Sequence, residues 1–184
     1  MGILEIIGFV LTLLAIGLAA RGHTLTWPLQ IVASLLYVYL FLSVNLFGES
    51  ALQFIYAGIA AYGWFNWRHN QSADSRLLVA KLSKKEWLLF NAVGLGLVLV
   101  VAQLQVNFLP TDVPYLDSSV FIFGLLAQWM QAKKKIENWL YWIVLDLISA
   151  GIYWYKDLQI TAVLYLILTG LACFGWLQWR KQTQ

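Results

Sequence analysis

The sequence predicts an all-α integral membrane protein whose seven transmembrane helices form a 3+1+3 parallel repeat. Three observations predict it: an apolar composition, seven apolar runs of spanning length, and an internal echo. Of 184 residues, 61% are hydrophobic and 11% charged. A water-soluble core of this size cannot hide so much apolar surface, whereas a bilayer takes it up. The runs cover approximately 2–20, 27–47, 50–68, 86–108, 114–132, 138–155 and 159–179. Each is near the roughly 20 residues that a helix needs to cross the hydrocarbon. They are continuously apolar, not alternating, which selects helices over barrel strands.

The echo is Gly63-Trp64-Phe65-Asn66-Trp67-Arg68, which returns as Gly175-Trp176-Leu177-Gln178-Trp179-Arg180 at an offset of 112. With no gap, 19 of the 67 positions from Gly2 to Arg68 are identical to their mates. Among the aligned pairs are Trp27 with Trp139, Leu52 with Leu164, Gly58 with Gly170 and Glu5 with Asp117. The chain therefore reads as one membrane domain, 1–184. Repeat one spans 2–68, a connector helix 86–108, and repeat two 114–180. Four spans separate the two repeat starts, so the repeats run parallel. Parallel repeats about an axis along the membrane normal are a transporter plan, with the site at the repeat interface near mid-membrane.

The first span lacks a basic leader and belongs to the repeat, so it is expected to persist and not to be cleaved as a signal peptide. Glu5 and its mate Asp117 fall in first helical turns, where a carboxylate suits the helix N-terminus. The second span carries Gln30, Ser34, Tyr37 and Phe41 on one face, and the third carries Gln53, Tyr56 and Ala60. The stretch from His69 to Lys85 is the one linker-like segment. There Leu77, Leu78, Val79 and Leu82 suggest a short piece lying on the membrane surface. Ser83 and Glu86 read as a capping box that opens the connector helix. The sixth span places Trp142, Asp146, Ser149 and Tyr153 on one face, and Tyr165 on the seventh is the mate of Gln53. Cys173, alone of its kind, excludes an internal disulfide and reads as a buried structural thiol.

Charge sets the orientation. Arg21, Arg68, Arg76, Lys81, Lys84, Lys85, Lys133, Lys134, Lys135, Arg180 and Lys181 fall on one side of the alternating spans, and Lys156 alone on the other. That bias places the N-terminus outside and the C-terminus in the cytoplasm. The lysine cluster at 133–135 is then a topology signal and not a nucleic-acid site. Trp27, Trp67, Trp87, Trp139 and Trp179 stand at span ends and suit the interfacial belt.

Polar residues inside spans are costly unless they face protein or water. Two facing stripes of indole, phenol, amide and one carboxylate suit a flat, polar, cationic small molecule. The candidate substrate-binding residues are Trp142, Asp146, Ser149, Tyr153, Gln30, Ser34, Tyr37, Gln53, Tyr56 and Tyr165. Interhelical hydrogen bonding is the competing role for Gln30, Ser34 and Ser149. No catalytic cluster, metal-ligand set, cofactor motif or phosphate loop is present in the sequence, so neither an enzyme nor an ATP-driven pump is expected.

Glu137-Asn138-Trp139-Leu140-Tyr141-Trp142, followed by Asp146 and Ser149 and closed by Gly175-Trp176 and Trp179, resembles the PnuC family of bacterial vitamin transporters. So does Leu52-Gln53 with Tyr62-Gly63-Trp64 and Trp67. The resemblance implies nicotinamide riboside uptake across the bacterial inner membrane by facilitated diffusion, with intracellular phosphorylation as the trap. It also implies a homotrimer. Riboside-transporting members tend to carry Asn where this chain has Asp146 and Ala60, which brings thiamine-transporting relatives into consideration. A membrane subunit that binds without translocating is the remaining alternative.

Overall fold

The computed structural model describes residues 3–43, 47–69, 78–108 and 112–183, apart from the side chains at 5, 47 and 48. Arg76, Leu77 and the side chain of Glu5 lie outside the described residues. Within them the chain forms α1 (Ile3–Ala20), α2 (Thr26–Ser43), α3 (Phe47–His69), α4 (Lys84–Phe108), α5 (Pro114–Ala132), α6 (Asn138–Tyr155) and α7 (Gln159–Arg180). Among the described residues there is no β-strand, only an isolated bridge between Ala80 and Lys135. By length and hydropathy, α2, α4 and α7 are each apolar enough to cross a membrane.

Local chemistry explains the helix ends. The capping box forms at α4: the Ser83 N–H donates to Glu86 Oε2 at 2.7 Å, and the Glu86 N–H to Ser83 Oγ at 3.2 Å. Pro114 opens α5, where its missing N–H leaves no helical hydrogen bond unmade. The α1–α2 and α5–α6 turns share most of their backbone hydrogen bonds. Gly22 donates to the Ala19 carbonyl and Lys134 to that of Gln131, both at 2.9 Å. His23 donates to Leu18 and Lys135 to Met130, again both at 2.9 Å. Each turn carries a left-handed residue at the same offset, Gly22 at φ +70 and Lys134 at φ +56. Burial pushes the Lys134 ammonium below its ordinary pKa.

Six helices close a ring of neighbours in the order α1, α2, α3, α5, α6, α7 and back to α1. The ring has two seams between its halves, α3 with α5 and α7 with α1. Helix α2 lies across from α6, and among the described residues the two backbones do not come close. Helix α4 sits outside, packs on α5, and reaches α6 where Asn91 Nδ2 donates to the Tyr141 hydroxyl at 2.8 Å. Its Gly94, Val98 and Ala102 form the buried stripe, and Gly94 admits the Phe123 ring. Its Leu88, Leu95, Leu99 and Leu104 are exposed, as suits a lipid-facing helix.

The largest buried cluster occupies one end of the ring, and here the structure corrects the sequence. Trp27, Trp67, Trp139 and Trp179 do not line an outer belt; each is at most 2% exposed. Trp27 meets Trp67 edge-on at 5.1 Å, and Trp139 meets Trp179 the same way at 5.4 Å. Gly63 and Gly175 make this possible, because a Cβ at either would lie 2.5 or 2.6 Å from an indole carbon of Trp27 or Trp139. Trp87 does remain exposed.

Two further expectations change. The segment before α4 is not an independent surface piece. Ala80 exchanges backbone hydrogen bonds with Lys134 and Ile136, at 3.1 and 3.0 Å, and Val79 is buried in the tryptophan cluster. The Leu82 N–H donates to Glu137 Oε1, and Lys135 reaches the Lys81 carbonyl and Glu86. Unpaired backbone groups in that segment thus find partners in the α5–α6 turn. Cys173 is exposed on α7 and not packed inside, because in a bilayer the apolar surroundings of a thiol are lipid as readily as protein.

Candidate functional site

Rising from the tryptophan cluster along α6, the first candidate is Trp142, half-buried against that cluster. Asp146 follows, seven residues after Trp139 and so about 10 Å further along the axis. It is 7% exposed, and Ser149 above it is also buried. Tyr153 then stacks on Tyr165 of α7, with centroids 5.2 Å apart and planes 13° from parallel. From α3, Tyr56 points its hydroxyl at the backbone of Gly124 on α5, where a Cβ would stand only 2.5 Å away. Asp146 lies within electrostatic reach of both Tyr56 and Tyr165. Helices α3, α6 and α7 therefore gather one carboxylate and three phenols.

Among the described residues, no cationic side chain pairs with Asp146. Placing a carboxylate in such a setting without a counter-charge is expensive. The site is chemically suited to a cation whose flat ring lies against the phenols.

The opposite wall behaves differently. Gln30 donates from Nε2 to Thr26 Oγ1 at 2.8 Å, and its Oε1 accepts from Gln128 Nε2 on α5. Thr26 in turn donates to the Ala15 carbonyl of α1 at 2.8 Å. Gln30 is thus a link in a chain that ties α5, α2 and α1 together. Tyr37 packs over Gly8 of α1 and stacks on Phe41 at 5.9 Å. Ser34 is buried on α2 and Gln53 half-buried on α3; the structure puts both on the ring without joining them to Asp146.

Sequence reasoning missed Gln128, Thr26 and Gly124. A signal existed for Gln128: its repeat mate is the apolar Ile16, so the amide is a departure from the repeat within a span. Gly124 is likewise the mate of Thr12, and only the crossing of Tyr56 gives it meaning. Among the described residues, no three His, Cys, Asp or Glu side chains are grouped to hold a metal ion.

Apolar helices arranged in a ring about a buried carboxylate and aromatic hydroxyls define the class of small-solute membrane transporters. The comparisons with known proteins agree. A family model described as nicotinamide mononucleotide transporter matches residues 2–181. The chain belongs to that family. It is 25% identical to the Escherichia coli K12 nicotinamide riboside transporter PnuC, over 96% of this chain and 84% of that one. It is 24% identical to the riboflavin/roseoflavin transporter RibM of Streptomyces davaonensis, over 95% of this chain and 83% of that one. Its fold matches a solved structure titled as the crystal structure of the vitamin B3 transporter PnuC, with TM-score 0.77 at 20% identity. That match covers 97% of this chain and 81% of the solved one.

Proposed function

We propose that this protein takes up nicotinamide riboside across the bacterial inner membrane by facilitated diffusion, with phosphorylation inside the cell as the trap. Seven spans form two parallel three-helix repeats, 2–68 and 114–180, joined by the inverting connector 86–108 in a SWEET-like plan. The shared hydrogen bonds of the two turns, the paired tryptophan contacts and the paired glycine clefts support that duplication. The basic bias of the loops supports an outer N-terminus and a cytoplasmic C-terminus. The family resemblance supports a homotrimer.

The observation that carries the substrate reading is Asp146, a buried carboxylate within electrostatic reach of Tyr56 and of Tyr165, on which Tyr153 stacks, and paired with no cationic side chain among the described residues. Nicotinamide riboside has a flat pyridinium ring that supplies the missing charge, and its ribose hydroxyls suit Ser149 and the phenols. Thiamine is the second reading, favoured by the same carboxylate because a thiazolium is also a permanent cation. Riboflavin has no such charge, so a carboxylate offers it hydrogen bonds but no charge pairing. Phenols and indoles on either side are the usual protein partners of such planar cations.

Thermal shift of the purified protein with nicotinamide riboside, thiamine, riboflavin and nicotinamide mononucleotide tests this. Stabilisation by nicotinamide riboside first and thiamine second is expected. Stabilisation by riboflavin alone would show that Asp146 is not a cation site.

A further inference from the structure

We infer that the four-tryptophan cluster is the cytoplasmic gate of the transport path, and that Trp67 and Trp179 are the residues that separate when it opens. This rests on the transport and orientation readings above. The cluster lies at the end of the ring that carries Lys133, Lys134, Arg180 and Lys181, about 10 Å from Asp146 along α6. A solute held at Asp146 must pass it to reach the cytoplasm.

The contacts divide into two kinds. Within each repeat, one indole is clamped: Trp27 in the Gly63 cleft against Trp67, and Trp139 in the Gly175 cleft against Trp179. These units have no room to move internally. Between the repeats, Trp67 and Trp179 meet at 5.8 Å with planes tilted 47°. Each also sends one N–H across a seam: Trp67 Nε1 donates to the Gln131 carbonyl at 3.3 Å, and Trp179 Nε1 to the Ala19 carbonyl at 3.0 Å. Gln131 and Ala19 are themselves mates at the offset of 112. Asn66 adds a bond to the Ala132 carbonyl at 2.8 Å, and Lys134 lies over the Trp67 ring at 5.0 Å.

Every one of these seam contacts has a ready substitute in water once the seam parts. The indole donors, the carbonyls and the ammonium all gain solvent partners, so opening leaves no polar group stranded. The closed state, by contrast, strands some. Among the described residues, the buried Nε1 atoms of Trp27 and Trp139 have no acceptor. They too are repeat mates. The seal is therefore tight in its apolar packing but not over-stabilised in its polar contacts, as a reversible closure requires.

Paired thiols test the inference. Ala60 and Ala172, mates at 0% and 2% exposure, lie inside the cluster. Single-cysteine variants Ala60→Cys and Ala172→Cys, built on Cys173→Ser, are treated with a membrane-impermeant maleimide in inside-out and right-side-out vesicles. Slow labelling is expected with the tryptophans intact. Trp67→Phe with Trp179→Phe keeps one aromatic ring at each position but deletes both seam donors and part of the apolar seal, and should speed labelling at least fivefold from the cytoplasmic face only. Where the double variant does not survive as a folded species on size exclusion, Trp179→Phe alone carries the test. Unchanged labelling in a folded variant, or acceleration from the outer face, overturns the gate. Normal uptake with insensitive labelling also sinks it while leaving the transport reading intact. Sensitive labelling without any uptake would show that the cluster parts toward the cytoplasm but would remove the transport reading, and the gate with it.

Discussion

Alanine at Gly63 is the sharpest single perturbation of this fold. Its Cβ would stand 2.5, 2.6 and 2.7 Å from three carbons of the Trp27 ring, whereas ordinary contact begins at 3.4 Å. The ring would have to retreat by about 0.9 Å, the difference between 3.4 and 2.5 Å. It has nowhere to go, being 0% exposed and set edge-on against Trp67. Overpacking of this kind costs about 1–3 kcal/mol, and alanine returns about 1 kcal/mol of helix propensity, so the net loss runs up to about 2 kcal/mol. Gly175→Ala should behave alike, since its Cβ would meet Trp139 at 2.6 Å. Gly58 and Gly170, with nothing within 4 Å, are the controls: alanine there should hold or raise stability. Thermal melting in detergent, followed by size exclusion, reads the difference. Gly63→Ala melting at or above Gly58→Ala would show that the tryptophan cluster is not packed as described.

Asp146→Asn keeps shape and acceptor while deleting the charge. It should weaken binding of a cationic vitamin by about 1–3 kcal/mol, roughly 5- to 150-fold, in isothermal titration, with folding unchanged. Gly124→Ala should destabilise the protein because its Cβ would lie 2.5 Å from the Tyr56 hydroxyl. Tyr56→Phe in the same chain should restore much of the loss, since the next ring atom is 3.8 Å away. Additive melting shifts would refute that contact. A tag after Gln184 should be reached only from the cytoplasm and one before Met1 only from outside; protease access in spheroplasts that finds both ends on one side would contradict an odd number of spans.

Much of the fold was legible because it depends on one-dimensional patterns. Expected spans such as 86–108, 114–132 and 138–155 match α4, α5 and α6 to within two residues, since apolar run length and caps mark helix ends locally. The offset of 112 likewise survives into turn geometry at Gly22 and Lys134. What escaped depends on neighbours. A tryptophan at a span end reads as interfacial until Gly63 and Gly175 are seen as clefts that draw Trp27 and Trp139 inward. Helical spacing put Gln30 on the same stripe as Ser34 and Tyr37, but could not reveal that Gln128 claims its amide. Asp146 was legible as a carboxylate set within an apolar run. Its collar from α3 and α7 was not, because ring order is set by packing across the seams and not by spacing along one helix.

Uptake of radiolabelled nicotinamide riboside into proteoliposomes tests the central claim most directly. The account predicts saturable entry that plateaus at equal inside and outside concentrations, unchanged by an imposed proton or sodium gradient and reduced by Asp146→Asn. The chain carries no ATP-binding motif, and a single carboxylate within reach of phenols is not a relay of several acidic groups. Accumulation well above equilibrium on imposing an ion gradient would contradict facilitated diffusion. Absence of saturable entry in protein that still binds the vitamin would contradict transport itself.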